Sequence, residues 1–238
     1  MSPKSYRRGY PVAVLIGIEQ SQGAIWKIYS QVAKPEGNIH LEGTRSNAKA
    51  LYSFHETIIN TFRPSLKEGV NSIIIASPQK TNYNQEFLNH VREHHQWLLQ
   101  GANKASFKQI TGSAITHTQV SNITSTNEFK QSINDSTLEE TENLRELVEK
   151  RLNATEGLVM FSLEEAEEAI YSYEIPGKPK PEYLLITDNY LTGDKRKGRI
   201  NRLIQIAQNK KIKTRIINKE SPAGTRLTQL GGIICLLK

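Results

Sequence analysis

Chemical potential in this 238-residue chain concentrates in one short run, His90-Val91-Arg92-Glu93-His94. It has the H-x-x-E-H form in which two imidazoles on one helix face grip a zinc ion and the glutamate serves as base. Such a centre needs a third protein ligand, and nothing downstream marks one. Arg92 and His95 flank the pair as they would on a wet helix face, so the run reads as a solvated helix without metal. A two-metal nuclease site would place one carboxylate on the first strand and others close by. Glu19 falls on the first hairpin and Glu56 on the helix after it, but no compact acidic cluster joins them. Cys235, the single cysteine, lies in the apolar run Ile-Ile-Cys-Leu-Leu and reads as a reduced structural thiol. Neither a G-x-S-x-G elbow nor a G-x-x-x-x-G-K-[ST] loop is present, which removes α/β-hydrolase and P-loop chemistry. No catalytic residue, metal ligand or cofactor is predicted.

The elements that must position these residues read as α/β throughout. PVAVLIGIEQSQGAIWKIYSQVA is a hairpin around Ser21-Gln22-Gly23, and Asn38–Leu41 adds a third strand. SNAKALYSFHETIINTF carries a helical stripe, with Ser46 as its cap and Pro64 near its stop. NSIIIASP is a buried strand. The next helix takes in Phe87, Val91, Trp97, Leu98 and Leu99, with Gly101 as C-cap. SFKQIT is a strand, and the hydroxyl-rich stretch after it has no clear state. From Asn127 the composition turns acidic and reads as one or two helices, followed by a strand at 158–161. Ser162 and Glu165 form a capping box. YLLITD is a strand, KGRINRLIQIAQNKK a basic helix, KTRIINK a strand, and the chain closes on a short helix, Gly231-Gly232 and a buried strand. The alternation predicts a first domain over residues 1–126 and a second over 127–238, the latter an α/β/α layer with a largely parallel sheet.

Charge is segregated. The net charge is +7, but residues 135–170 hold eleven acids against three Lys/Arg, and residues 194–219 hold ten Lys/Arg against Asp194 alone. A basic block beside an acidic one suggests a face for an anionic partner, with nucleic acid foremost. A solvated basic surface is the plainer alternative. No apolar run approaches the roughly 18–20 residues a membrane span needs, and the basic start does not read as a signal peptide, so a cytoplasmic protein is expected.

Taken in order, FHETIINTF, IIIASPQKTNYNQEFLNHV, the acidic helix, YLLITDNYL and SPAGTRLTQLGGIICLLK resemble the middle and C-terminal domains of the Pelota family, relatives of the eukaryotic-type class I release factors. Counterparts of the family motifs are Ser77-Pro78, Leu184 to Asp188, and Ser221, Gly224, Leu227, Leu230, Gly232, Ile233 and Leu236. The resemblance implies an RNase H-like domain without nuclease activity, then an α/β/α domain like the kink-turn-binding ribosomal proteins. It also implies a cytoplasmic, non-catalytic factor in ribosome rescue, working with a translational GTPase and an ABC-type ATPase. On that view the ribosome-facing candidates are Arg7, Arg8, Arg45, Lys49, Lys195, Arg196, Lys197, Arg199 and Arg202, and the partner-facing turn is Pro78-Gln79-Lys80. Three departures stand out. The chain opens almost at the middle domain, with no counterpart of the family's N-terminal Sm-like domain. The loop where release factors carry Gly-Gly-Gln reads EGTRSNAKA. The family's Pro-Gly-Phe turn reads Pro78-Gln79-Lys80. The alternatives are a peptidyl-tRNA hydrolase or metal-dependent nuclease on the first domain, and an adaptor acting away from translation.

Overall fold

The structure, a computed structural model, describes residues 11–30, 32–101, 104–154, 157–193 and 196–238, apart from the side chains of 137–140. The chain divides into two compact units. One holds the described chain to Leu66 and Val70–Glu140; the other holds Lys67–Gly69 and Thr141–Lys238.

In the first unit β1 (Pro11–Ile18) and β2 (Gln22–Tyr29) form the expected hairpin, closed by Glu19 N donating to Gln22 O at 2.8 Å. β3 (Ala33–His40) pairs antiparallel with β2 over far more than its apolar tail predicts. Then come α1 (Ala48–Lys67), β4 (Ser72–Ser77), α2 (Tyr83–His94), a 3-10 turn at Gln96–Leu98, β5 (Ser106–Thr111), α3 (His117–Ser125) and α4 (Asn127–Leu152). The strand order is β3-β2-β1-β4-β5, with β1, β4 and β5 parallel. Three antiparallel strands followed by two parallel ones make the RNase H-like arrangement.

Both faces of this sheet are apolar. Val14, Ile16, Ile18, Ile73 and Ile75 pack with Phe54, Ile58, Ile59 and Phe62 of α1 and Phe87 and Val91 of α2. The alternate residues Ala13, Leu15, Ile74 and Ala76 pack with Val120 and Ile123 of α3 and Phe129 of α4. The strand period of two thus feeds two separate cores.

Several local expectations are corrected. Asn47, not Ser46, caps α1: its Oδ1 accepts from Lys49 N and Ala50 N, both at 3.1 Å. The helix runs through Pro64, because that residue and Asn60, whose carbonyl loses its partner, are both exposed to water. α2 stops at His94, since His95 leaves the helix at φ −130, ψ 45. Trp97 and Leu99 therefore stay exposed. The hydroxyl-rich stretch forms α3, opened by a capping box between Thr116 and Gln119.

The second unit contains β6 (Val159–Met160), α5 (Leu163–Tyr171), β7 (Pro181–Thr187), α6 (Asp188–Gly193), α7 (Lys197–Asn209), β8 (Lys213–Ile217), α8 (Pro222–Gln229) and β9 (Ile233–Leu237). The strand order is β6-β9-β7-β8. Among the described neighbours only β7 and β8 pair in parallel; β9 runs against β6, β7 and β8 and pairs antiparallel with β6 and β7. The sheet is therefore mixed, not largely parallel. α8 has eight residues, about 12 Å of helix, too little to carry the chain back along the sheet. β9 accordingly starts beside Ile186, near the end where β8 leaves beside Thr187. Helix and strand order fix the layers but not the direction of the last strand.

Ile233, Cys235 and Leu237 face α5 and α7, whereas Ile234 and Leu236 face α8 and the C-terminal half of α4. The motif residues meet at one corner. Thr187 N donates to Gly232 O at 2.9 Å. Asp188 Oδ1 accepts from Asn189 N and, at 3.0 Å, from Lys219 N. Ser221 caps α8, its Oγ accepting from Gly224 N at 3.0 Å and donating to Asn218 O at 2.7 Å.

Three predictions follow from this packing. A Cβ at position 224 would lie 1.9 Å from the Asn218 carbonyl oxygen. Gly224→Ala is expected to cost about 3 kcal/mol, read as a lowered denaturation midpoint; an unchanged midpoint contradicts the close approach. Because β9 lies between β6 and β7, deleting Ile233–Lys238 should remove the cooperative unfolding transition of this unit, and a retained transition would show that β9 is not interior. Burial pushes the Cys235 thiol from 9.0 up to about 12. Its thiolate is then about a thousandfold scarcer at mildly alkaline pH than in an exposed cysteine. Alkylation should track unfolding of this unit, and rapid labelling of the native protein would refute the assignment.

Candidate functional site

The basic helix α7 does not stand alone. Its inner face, Ile200, Leu203 and Ala207, joins the second core. On the side toward α5, Arg196 Nη1 donates to Glu164 Oε1 at 2.9 Å and Nη2 to the Tyr190 hydroxyl at 3.3 Å. Arg199 grips Glu167 with Nε at 3.1 Å and Nη2 at 2.5 Å, and Nη1 reaches Glu164 at 3.5 Å. Hydrogen bonding to Glu167 raises the Arg199 guanidinium further. The acidic and basic blocks of the sequence are thus partly paired in space. Lys197 and Arg202 lie on the exposed surface of α7. Arg7, Arg8 and Lys195 lie outside the described residues.

Arg45 is part of the fold. Its Nη1 donates to Glu86 Oε2 at 2.6 Å, Nη2 to Glu19 O at 2.8 Å and Nε to Gln20 O at 3.0 Å. The guanidinium also lies 3.7 Å from the centre of the Tyr83 ring. It ties the loop before α1 to the β1–β2 turn and to α2, each of its three nitrogens giving a hydrogen bond within the fold. Lys49, on the first turn of α1, is exposed.

The turn between β4 and α2 presents Gln79 and Lys80 to solvent, with Pro78 half-buried. Thr81 Oγ1 donates to Pro78 O at 2.7 Å and closes it. Lys80 holds a left-handed φ of 65, where glycine costs least.

The H-x-x-E-H run resolves differently from its spacing. His94 faces Glu93 at 3.7 Å, and both are well exposed. His90 points instead to α1, where its Nε2 lies 3.0 Å from Glu56 Oε1. His95 Nε2 approaches the same oxygen at 2.5 Å. The three ligand atoms all lie within 4.8 Å of one another. Burial acts to raise the Glu56 carboxyl, but hydrogen bonds from His95 and His90 outweigh it and hold it below the usual value. Burial lowers His90 despite that carboxylate, and drives His55, beside it, down to about 3 with help from His90 and Arg45. No sequence spacing links Glu56 to His95; the α1–α2 crossing does.

The protein was compared with known families and structures. The family model described as eRF1 domain 3 matches residues 80–238. The pelota homologue of Pyrococcus furiosus is 28% identical over 190 residues, 78% of this chain and 48% of that protein. The pelota homologue of Hyperthermus butylicus is 29% identical over 112 residues, 46% of this chain and 29% of that protein. The chain thus spans less than half the length of these two curated relatives. Among solved structures, a ribosome-bound archaeal Pelota with ABCE1 superposes with a TM-score of 0.58 at 17% identity, covering 99% of this chain and 64% of that one. Dom34 of S. cerevisiae gives 0.50 at 18%, covering 100% and 65%. The solved structures show the fold and the pelota homologues are what the chain is similar to, and the family match covers about two thirds of the sequence: the chain belongs to the eRF1 domain 3 family.

Proposed function

We propose that the chain is a cytoplasmic, non-catalytic translation factor that acts on the ribosome in the rescue of stalled complexes. The observation that carries this is the match to the Pyrococcus furiosus pelota homologue across 190 residues, which runs through both compact units. It is supported by superposition on a Pelota described as ribosome-bound with ABCE1. Dom34 is described as a translation termination-like factor of RNA quality control that interacts with Hbs1. By that likeness the proposed partners are the ribosome, a translational GTPase and an ABC-type ATPase. The proposal keeps a middle-domain-like part at 1–126 and a C-terminal-domain-like part at 127–238. No helix among the described residues is long and apolar enough to cross a membrane.

The proposed rRNA-facing residues are Lys197, Arg199 and Arg202 of α7 with Arg196 at its N-cap, together with Lys49 on α1 and with Arg7, Arg8 and Lys195, which lie outside the described residues. The proposed GTPase-facing turn is Pro78-Gln79-Lys80, where Gln79 and Lys80 project outward. Peptide release is not part of the proposal: the loop carries no Gly-Gly-Gln, and its arginine is engaged by Glu86, Glu19 and Gln20.

Two measurements test it. The protein should co-sediment with ribosomes at low salt and dissociate steeply as salt rises, because phosphate contacts release counterions. Lys197→Ala with Arg202→Ala should lower the salt slope by about 2; protein that stays in the supernatant at low salt, with empty, stalled or split ribosomes alike, sinks the proposal. Arg45→Ala should cost about 2–3 kcal/mol of stability through its lost hydrogen bonds, while stalled complexes show no peptide release with or without it. Release activity abolished by Lys49→Ala at unchanged melting temperature would establish a hydrolase instead.

A further inference from the structure

We propose that Glu56, His90 and His95 form a binding site for a divalent first-row metal ion, with Zn²⁺ the best match, that pins α1 to the C-terminal corner of α2. Two imidazoles and one carboxylate are a donor set that suits zinc and leaves a fourth position for water. The three ligand atoms converge to within 4.8 Å of one another. Both Nε2 atoms already address a single oxygen, Glu56 Oε1, at 3.0 and 2.5 Å. Ligands sharing one tetrahedral zinc sit about 3.3 Å apart, so each imidazole–carboxylate separation must open by under about an ångström while the two Nε2 atoms, within 4.8 Å of each other, settle around the ion.

The ligands come from elements fixed by the first core. Glu56 lies between the core residues Phe54 and Ile58 of α1, and His90 is next to Val91 of α2. Both imidazoles are more than nine-tenths buried, while Glu56 is a quarter exposed and gives the ion a path from solvent. Four of the six histidines gather here. His55 packs its ring 5.1 Å from His90, and His94 lies 4.9 Å from it. The buried His55 Nε2 has no hydrogen-bond partner among the described residues.

The alternative is a hydrogen-bonded triad only, and the tautomer of His95 separates the two. Trp97 Nε1 donates to His95 Nδ1 at 3.3 Å. Indole N–H is a donor only, so His95 carries its proton on Nε2, where it is given to Glu56. A metal at Nε2 requires that proton on Nδ1. Metal binding therefore moves the proton from Nε2 to Nδ1 through solvent, and two donors then face each other across the Trp97 contact. The Trp97 hydrogen bond must break, and the indole, 48% exposed, has room to swing outward.

The test uses the full chain, stripped of metal by a chelator and titrated with Zn²⁺ by calorimetry while tryptophan fluorescence is followed. One ion per chain should bind, the fluorescence should change in step, and the melting temperature should rise with free zinc. Cobalt should occupy the same site with the intense visible bands of a low-coordinate nitrogen and oxygen environment. Glu56→Gln keeps the shape and an acceptor for both imidazoles, so its metal-free form should melt near wild type. Its zinc affinity should fall at least about a hundredfold, and His95→Ala should do the same. His94→Ala should bind as wild type. Absence of saturable binding overturns the proposal. So does zinc binding that survives Glu56→Gln and His95→Ala, or that is lost in His94→Ala, which would return the ion to the H-x-x-E-H pair.

Discussion

Apolar burial on both faces of each sheet is the constraint on which the rest of the molecule depends. β4 is buried at all six positions, and its four apolar residues, Ile73 to Ala76, are handed alternately to two cores. β9 does the same, with Ile233 and Cys235 on one side and Ile234 and Leu236 on the other. A strand in that situation carries a polar side chain only where that group finds a partner, because an unpaired buried one costs about 1–3 kcal/mol; in β4 the polar residues, Ser72 and Ser77, stand at the two ends. Polar chemistry is displaced to strand ends, turns, outer helix faces and helix crossings. The Leu-Leu-Ile-Thr-Asp and Ser-Pro-Ala-Gly motifs sit at one such strand end. They are occupied there in closing backbone hydrogen bonds around Asp188, Ser221 and Gly232.

Charge follows a second, weaker constraint. Exposed ion pairs contribute between nothing and about 1 kcal/mol each, so the Arg196–Glu164 and Arg199–Glu167 contacts do little for stability. Their consequence is electrostatic: the face that a linear count makes strongly basic carries acids threaded through it. What remains available to an anionic partner is a subset of α7, with Lys197 and Arg202 on its exposed side. Arg226 and Glu149, and Arg151 and Glu182, repeat the pattern within the second unit.

The sequence revealed the fold well wherever a local rule decided the outcome. The hairpin, the β-branched run of β4 and the Ser162–Glu165 box are set by neighbours a few residues away, and all form as their residues imply. Outcomes decided by distant partners were not visible. β3 is polar along much of its length and forms because β2 offers an edge. The direction of β9 depends on how far an eight-residue helix can carry the chain. α2 ends at His94 although an apolar stripe continues to Leu99, because His95 turns toward Glu56.

That last departure explains why the candidate chemistry was invisible in one dimension. The H-x-x-E-H spacing assumes a straight helix and selects His90 with His94. The chain leaves the helix one residue later, which swings His95 inward and leaves His94 outside. The carboxylate comes from α1, 34 positions from His90, placed by the same core contacts that pack Phe54 and Ile58 against the sheet. A constellation of this kind depends on the crossing of two helices, and any substitution that moves α1 against α2 by about an ångström would disperse it. The proposed translation role rests on likeness to the pelota homologues, whereas the proposed Glu56–His90–His95 site rests on this chain's own packing, and each can stand if the other falls.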